Sequence, residues 1–240
     1  GFSFHGLLAD FKSIIDDFHW DFCQIQYNYL DQELQAGTAG LKYAAKKNLG
    51  LIIMEPLRGG NLGIPEPPES IRKLWDEAPT QRTPVEWALR WLWNWPEVTV
   101  VLSGMNEETH IEENIRIAAA AHSQSLTDKE RDLVDRVSDT YQALMKVGCT
   151  GCGYCMPCPE HVMIPSCFEV YNKMHMFGEI EASLFSYAIR MNGNLTTDKP
   201  GFASQCVACG ECLDKCPQGI QIPDVLANVA EEMEGPDLQK

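Results

Sequence analysis

Positive charge is scarce in this chain. Nineteen Lys and Arg stand against 34 Asp and Glu, leaving a formal net charge of −15 over 240 residues. Such a surface repels phosphate backbones and anionic lipid, which argues against nucleic acid and against a membrane as partners. Long apolar runs are missing as well. The most continuous one, 117–121, falls far short of the ~20 residues that cross a bilayer. The chain has no initiator Met, and Gly1-Phe2-Ser3-Phe4 already reads as a strand, so it is expected to start inside a domain. On that expectation a missing signal peptide carries no weight. The remaining composition, 45% hydrophobic and 22% charged, is ordinary for a globular protein with room for one large domain or two smaller ones.

Cysteine, by contrast, is concentrated. Eight of the ten lie in two runs. The downstream run is Cys206-x2-Cys209-x2-Cys212-x3-Cys216-Pro217, the spacing by which bacterial ferredoxins hold a 4Fe–4S cluster. The upstream run is Cys149-x2-Cys152-x2-Cys155-x2-Cys158-Pro159, one residue shorter before its last cysteine. Two-residue gaps let a tight loop present three sulfurs to three irons, and the fourth cysteine follows once the loop has turned away. In two-cluster ferredoxins that fourth thiolate serves the other cluster. The expected sets are therefore Cys149, Cys152, Cys155 and Cys216 for one cluster, and Cys206, Cys209, Cys212 and Cys158 for the other. Zinc and a disulfide framework are the competing readings. Zinc sites use paired C-x2-C units and have no need of a third cysteine followed by C-x3-C-P. Thiolates that must stay reduced indicate the cytoplasm.

The repeat continues past the cysteines. Cys158-Pro159-Glu160-His161-Val162-Met163-Ile164-Pro165 parallels Cys216-Pro217-Gln218-Gly219-Ile220-Gln221-Ile222-Pro223. Proline is tolerated in a helix's first turn, so each motif is expected to feed a helix.

Upstream, strand and helix signals alternate. Apolar runs at 2–4, 22–27, 51–54 and 98–102 read as strands, the last rich in β-branched residues. Leu7, Leu8, Phe11, Ile14, Ile15 and Phe18 fall on one helical face. Residues 56–70 hold four Pro and three Gly and are expected to form a long loop. Thr83-Pro84-Val85-Glu86 opens a helix whose Trp87, Trp91 and Trp95 read as core, Asn106 is expected to cap the next, and Thr127 with Glu130 forms a capping box for a helix to about Met145. Alternation of β and α implies a parallel sheet. Four strands cannot close a barrel, but they match the C-terminal half of a (β/α)8 barrel. The expected fold is thus α/β: a partial (β/α)8 barrel over residues 1–146, then a mostly helical two-cluster ferredoxin-like domain over 147–240.

Gly1-Phe2-Ser3-Phe4-His5, Gln24-Ile25-Gln26-Tyr27-Asn28-Tyr29, Met54-Glu55-Pro56-Leu57-Arg58-Gly59-Gly60 and Val101-Leu102-Ser103-Gly104-Met105, followed by Glu113-Asn114, resemble strands five to eight of the aldo/keto reductase barrel. With the cysteine motifs, nearly the whole chain is similar to aldo/keto reductases that carry a ferredoxin-type 4Fe–4S domain. The resemblance implies a nicotinamide site, NADP or NAD, at the C-terminal mouth. Ser3 and Gln24 would hold the carboxamide. Pro56, Leu57 and Gly59 would line the pyrophosphate path. Gly104, Asn106, Glu113 and Asn114 would surround the adenosine end. Met54 stands where the family often stacks an aromatic ring, and the segment near His110 is acidic where many members are basic. The family's catalytic Asp, Tyr, Lys and His lie on earlier strands, so no catalytic residue is named here.

Three functions fit this reading. One is an oxidoreductase passing electrons between the barrel-bound nicotinamide and two clusters. Hydride carries two electrons and a cluster normally one, so a flavin would have to split the pair, and the sequence has no flavin fingerprint. The second is an electron-relay module serving a redox partner protein, with the barrel as scaffold and Met174, Phe177, Ile180, Phe185 and their neighbours as a docking surface. The third is a structural fragment whose exposed apolar faces await a missing N-terminal half barrel. Sequence leaves the small-molecule substrate unknown.

Overall fold

The computed structural model describes residues 1–149, 151, 153–194, 199–216 and 218–235. They form two compact units, Gly1–Thr140 and Tyr141–Lys240.

In the first unit, β1 (Phe2–Phe4), β2 (Phe22–Gln26), β3 (Gly50–Met54) and β4 (Val100–Val101) make one parallel sheet in sequence order. The intervening helices are α1 (Leu8–Asp17), α2 (Gly37–Lys46), α3 (Glu69–Asp76) and α4 (Pro84–Trp93), followed by α5 (Glu108–Ala120) and α6 (Asp128–Leu144). Cross-strand register puts Phe4, Ile25 and Ile53 in one row, all buried. The next row, Ser3, Gln24, Ile52 and Val100, points to the opposite face and is exposed or half-buried. The sheet is therefore covered on one face only.

The Trp-rich helix is core, as its spacing implies. Trp87 is fully buried and stacks on Trp75 at 5.3 Å and 6°, with the Arg82 guanidinium 4.3 Å above its ring. Thr83 caps α4 by accepting the Glu86 N–H at 3.1 Å, with Pro84 in the first turn. Thr127 and Glu130 exchange the two bonds of a capping box. Three expectations fail locally. The last strand is two residues long, although the flanking Thr99 and Leu102 N–H groups still donate to the Leu51 and Ile53 carbonyls of β3 at 2.9 and 3.0 Å. Glu107, not Asn106, holds the N-cap of α5, and its side chain makes no capping bond. The loop at 56–70 is broken by a 3-10 turn, Asn61–Gly63, and ends at α3.

Buried charge ties the helices together. The Glu86 carboxylate meets Arg90 at 2.8 Å, Arg116 at 3.2 Å and Arg82 at 3.7 Å, and Arg82 also binds Glu130 at 2.5 Å. Burial pushes both carboxylates toward protonation, but Arg90 and Arg116 at Glu86, and the Thr127 N–H, Arg82 and the Thr127 hydroxyl at Glu130, overcome it and hold both below the usual range. A lowered carboxylate stabilises the fold above its unfolded value, and that stability is lost as pH falls through the folded one. Thermal unfolding of the first unit is thus expected to move to lower temperature as pH drops below the ordinary glutamate value of about 4.3. Glu86→Gln is expected to cost about 2 kcal/mol at neutral pH and to flatten that dependence.

In the second unit, α7 (Ile164–Phe177), α8 (Ile180–Met191) and α9 (Ile222–Met233) pack around Phe168, Tyr187, Met191, Leu226 and Val229, all essentially inaccessible. The sequence repeat is a structural repeat. His161 and Gly219 both adopt left-handed backbone, φ 63° and 65°. Each donates its N–H to the carbonyl of the cysteine three residues earlier, Cys158 at 3.0 Å and Cys216 at 3.1 Å. Ile164-Pro165 and Ile222-Pro223 then open α7 and α9 from N-caps of matching conformation. Among the described residues no helix is long and apolar enough to cross a membrane.

Candidate metal centre

Among the described residues, each cysteine loop contains a pair of left-handed residues. In the upstream loop Gly151 and Gly153 have φ 70° and 75°; in the downstream loop Ala208 and Gly210 have φ 53° and 80°. These positions flank the second cysteine of each run. Left-handed residues in such turns help to aim backbone N–H groups into a concavity suited to anionic iron–sulfur groups. One such bond is already present, from the Gly151 N–H to Cys149 Sγ at 3.4 Å. Ala208 carries a Cβ where the upstream copy has Gly151, and left-handed backbone costs an L-residue about 1–2 kcal/mol. Ala208→Gly is expected to raise stability by about 1 kcal/mol in denaturant melts, with cluster content unchanged.

The loops line two adjoining hollows. Cys158, Cys206, Cys209 and Cys212 line one, and Cys149 and Cys216 line the other. Cys155 and Ile164 form part of both walls. The fourth cysteine of each run thus lies with the first members of the other run. Cys152 falls outside the described residues. The remaining lining is largely apolar, with Leu226 at the first cavity and Phe168 and Ile222 at the second. Burial raises the Cys212 thiol, and Cys206, Cys209 and Cys158 nearby raise it further by mutual repulsion of thiolates. A cationic metal core relieves that repulsion. Among the described residues no three His, Cys or carboxylate groups converge closely enough for a single ion. The sulfurs surround a space rather than a point, which fits a multi-iron cluster better than one zinc. The other cysteines, Cys23 and Cys167, are fully buried, with burial pushing both thiols up to about 12.

Side chains remote in sequence clamp the entry to each run. From α7, Asn172 Oδ1 accepts the N–H groups of Lys146 and Val147 at 3.0 Å each, while its Nδ2 donates to the Val147 carbonyl at 2.7 Å. Downstream, the Tyr187 hydroxyl accepts the Ala203 N–H at 2.9 Å and donates to Glu234 at 2.6 Å. Glu234 in turn accepts the Ser204 N–H at 3.1 Å. Sequence reasoning missed all three; a buried Asn in an apolar helix was the available signal for Asn172.

The residues expected around a nicotinamide lie along one edge of the first unit, because parallel strands deliver their following loops to the same end. Ser3 and Gln24 are direct neighbours across β1 and β2. Pro56 is buried, Leu57 half-buried and Gly59 exposed after β3. Gly104 and Asn106 are exposed after β4. On α5, Glu113 accepts from the Thr83 hydroxyl at 2.8 Å, and Asn114 Nδ2 donates to Ser103 Oγ at 3.0 Å. Asn114 Oδ1 is buried with no donor, an acceptor that a ligand's N–H or hydroxyl could satisfy. The pyrophosphate path fits less well. The Glu55 carboxylate accepts the Gly59 N–H at 2.5 Å, placing negative charge where phosphate is expected. A further network was not foreseen: buried Asn28 donates to Asp31 at 2.9 Å and to the Glu55 carbonyl at 3.0 Å, and Arg58 pairs with Asp31 at 3.3 Å.

Comparison with known proteins follows this division. Residues 1–139 match the model of the aldo/keto reductase family, and residues 148–220 match that of the 4Fe-4S dicluster domain. Among solved structures, the chain is similar to the aldo-keto reductase AKR11C1 from Bacillus halodurans. For its holo form the identity is 19% and the TM-score 0.47, covering 57% of this chain and 49% of that one. For its apo form the identity is again 19%, with a TM-score of 0.46 and 56% and 49% covered. This chain spans about half the length of those structures. A comparison with curated proteins returns no match.

Proposed function

The chain belongs to the aldo/keto reductase family, and from that premise we propose that it is an iron–sulfur oxidoreductase passing electrons between a barrel-mouth nicotinamide or flavin and two 4Fe–4S clusters. Residues 1–146 act as the C-terminal half of a (β/α)8 barrel, and residues 147–240 as a two-cluster, ferredoxin-like domain. The observation that carries the reading is the exchange of fourth cysteines: Cys158 lines the cavity of Cys206, Cys209 and Cys212, and Cys216 lines that of Cys149. Cys152 completes the second set. Bound clusters supply one-electron steps at these sites. The protein's part is to hold eight thiolates, aim backbone N–H groups at the sulfurs and line the cavities with apolar side chains.

At the barrel mouth, Ser3 and Gln24 present hydrogen-bonding groups to a carboxamide, Pro56, Leu57 and Gly59 flank the phosphates, and Gly104, Asn106, Glu113 and Asn114 receive the adenosine end. The half-covered sheet face is the surface that a complementary N-terminal half barrel would close. The cytoplasm is the compartment in which the thiolates stay reduced.

A second reading, an electron relay with the barrel as scaffold, is favoured by one contact, the Glu55 carboxylate on the Gly59 N–H. Anaerobic titration of the iron-loaded protein with NADPH, then NADH, then dithionite separates the two. Absorbance and low-temperature EPR follow the clusters. Reduction by a pyridine nucleotide is the expected result for the oxidoreductase. Reduction by dithionite alone, even with the complementary half barrel supplied, leaves the relay.

A further inference from the structure

Beside the cavity of the downstream cysteines lies an open groove of about 550 Å³, formed between the Cys206 loop and one face of α9. Cys206 lines both the groove and the cavity. With Pro223 it forms the wall between a metal seat and solvent-facing space, as Cys155 with Ile164 forms the wall between the two seats. The three spaces thus stand in series: the Cys149 and Cys216 seat, the Cys158 and Cys206 seat, then the groove. On the α9 side the groove is floored by Ala227 and Ala230, so a partner's side chains can approach the helix backbone closely. Asp224 and Glu231 supply its charge, and it has no cationic or aromatic lining residue. At the loop, Val207 is 62% exposed and Cys209 is exposed.

We propose that this groove is the docking site for a one-electron carrier protein with a basic, lysine- or arginine-bearing face, and that Cys206 is where the electron crosses. The inference rests on the cluster reading above and adds the place and charge of the partner. A dinucleotide or other anion is disfavoured by the two carboxylates. A second copy of the chain is disfavoured by its net charge of −15, since like-charged faces repel and opposite ones steer. The transfer is balanced: one electron passes from the reduced protein to the ferric centre of the acceptor, which becomes ferrous, and no proton moves.

Cytochrome c, a basic one-electron protein, serves as the probe. Zero-length carbodiimide coupling to the chain, followed by peptide mapping, is expected to join probe lysines to Asp224 and Glu231. This readout needs no cluster. With the dithionite-reduced chain, probe reduction is expected to fall steeply with added salt. Charge reversal in Asp224→Lys with Glu231→Lys is expected to slow it at least tenfold at low ionic strength. Reversal of a control pair in the first unit, Glu108→Lys with Glu112→Lys on α5, is expected to slow it less than threefold. Ala227→Trp, at an exposed position, should slow cytochrome c but not a small neutral quinone. Unchanged cluster EPR in each variant certifies the fold. Equal effects of the two reversals, or cross-links that map elsewhere, overturn the groove while leaving the clusters standing. Absence of any reducible iron–sulfur signal in the unvaried chain overturns both.

Discussion

Cys158→Ala is expected to strip the seat of the downstream cysteine run and to spare that of its own run. This follows from the cavities, in which Cys158 lies with Cys206, Cys209 and Cys212, while Cys216 lies with Cys149 and Cys155. Ligands of one cluster act as a unit, so their losses do not add. Cys158→Ala, Cys206→Ala and the double variant of those two should each lose about half of the iron. Cys206→Ala combined with Cys216→Ala should lose nearly all of it. Iron analysis with EPR of the reduced variants reads the difference. If Cys158→Ala and Cys206→Ala together abolish both signals, each run ligates its own cluster and the exchange is wrong.

The second large effect is expected at Asn172, which touches no proposed ligand. It satisfies three backbone groups of residues 146–147, immediately before Cys149. Asn172→Ala leaves the buried Val147 N–H without a partner, while the Val147 carbonyl keeps the Cys149 N–H at 2.8 Å and Lys146 is exposed, at a cost of about 2 kcal/mol. Asn172→Asp keeps the two accepted bonds and loses the donated one, so its cost is smaller. Beyond lower stability in denaturant melts, Asn172→Ala should release the upstream cluster to a chelator faster than the downstream one, whose entry is held by Tyr187 and Glu234 instead. Equal release from both would reduce Asn172 to a general packing residue.

Both effects show where the sequence speaks and where it does not. Ligand spacing is local chemistry, so the two cysteine runs could be read directly, and the C-P-x-x-x-x-I-P repeat carried over into matching turns and helix starts. Alternating apolar runs likewise announced a parallel sheet. The clamps could not be read, because Asn172 and Glu234 act across about 25 and 30 residues on backbone atoms that no side-chain pattern identifies. At the last strand, β-branched composition overstated the length: only Val100 and Val101 stand in ladder register with β3, and Val98 instead donates its N–H to the Trp95 carbonyl in a turn. Asn106 is a good capping residue one position too early. The Glu55 to Gly59 contact depends on left-handed backbone at Glu55, φ 53°, which a non-glycine residue does not advertise.

Mössbauer spectroscopy of the anaerobically purified, iron-enriched chain, with iron, sulfide and zinc assayed on the same sample, bears most directly on the two-cluster account. The account predicts equal iron and acid-labile sulfide, negligible zinc, and the valence-delocalised signature of 4Fe–4S centres at two sites. Zinc in place of iron, or iron without sulfide in isolated tetrathiolate sites, would contradict it.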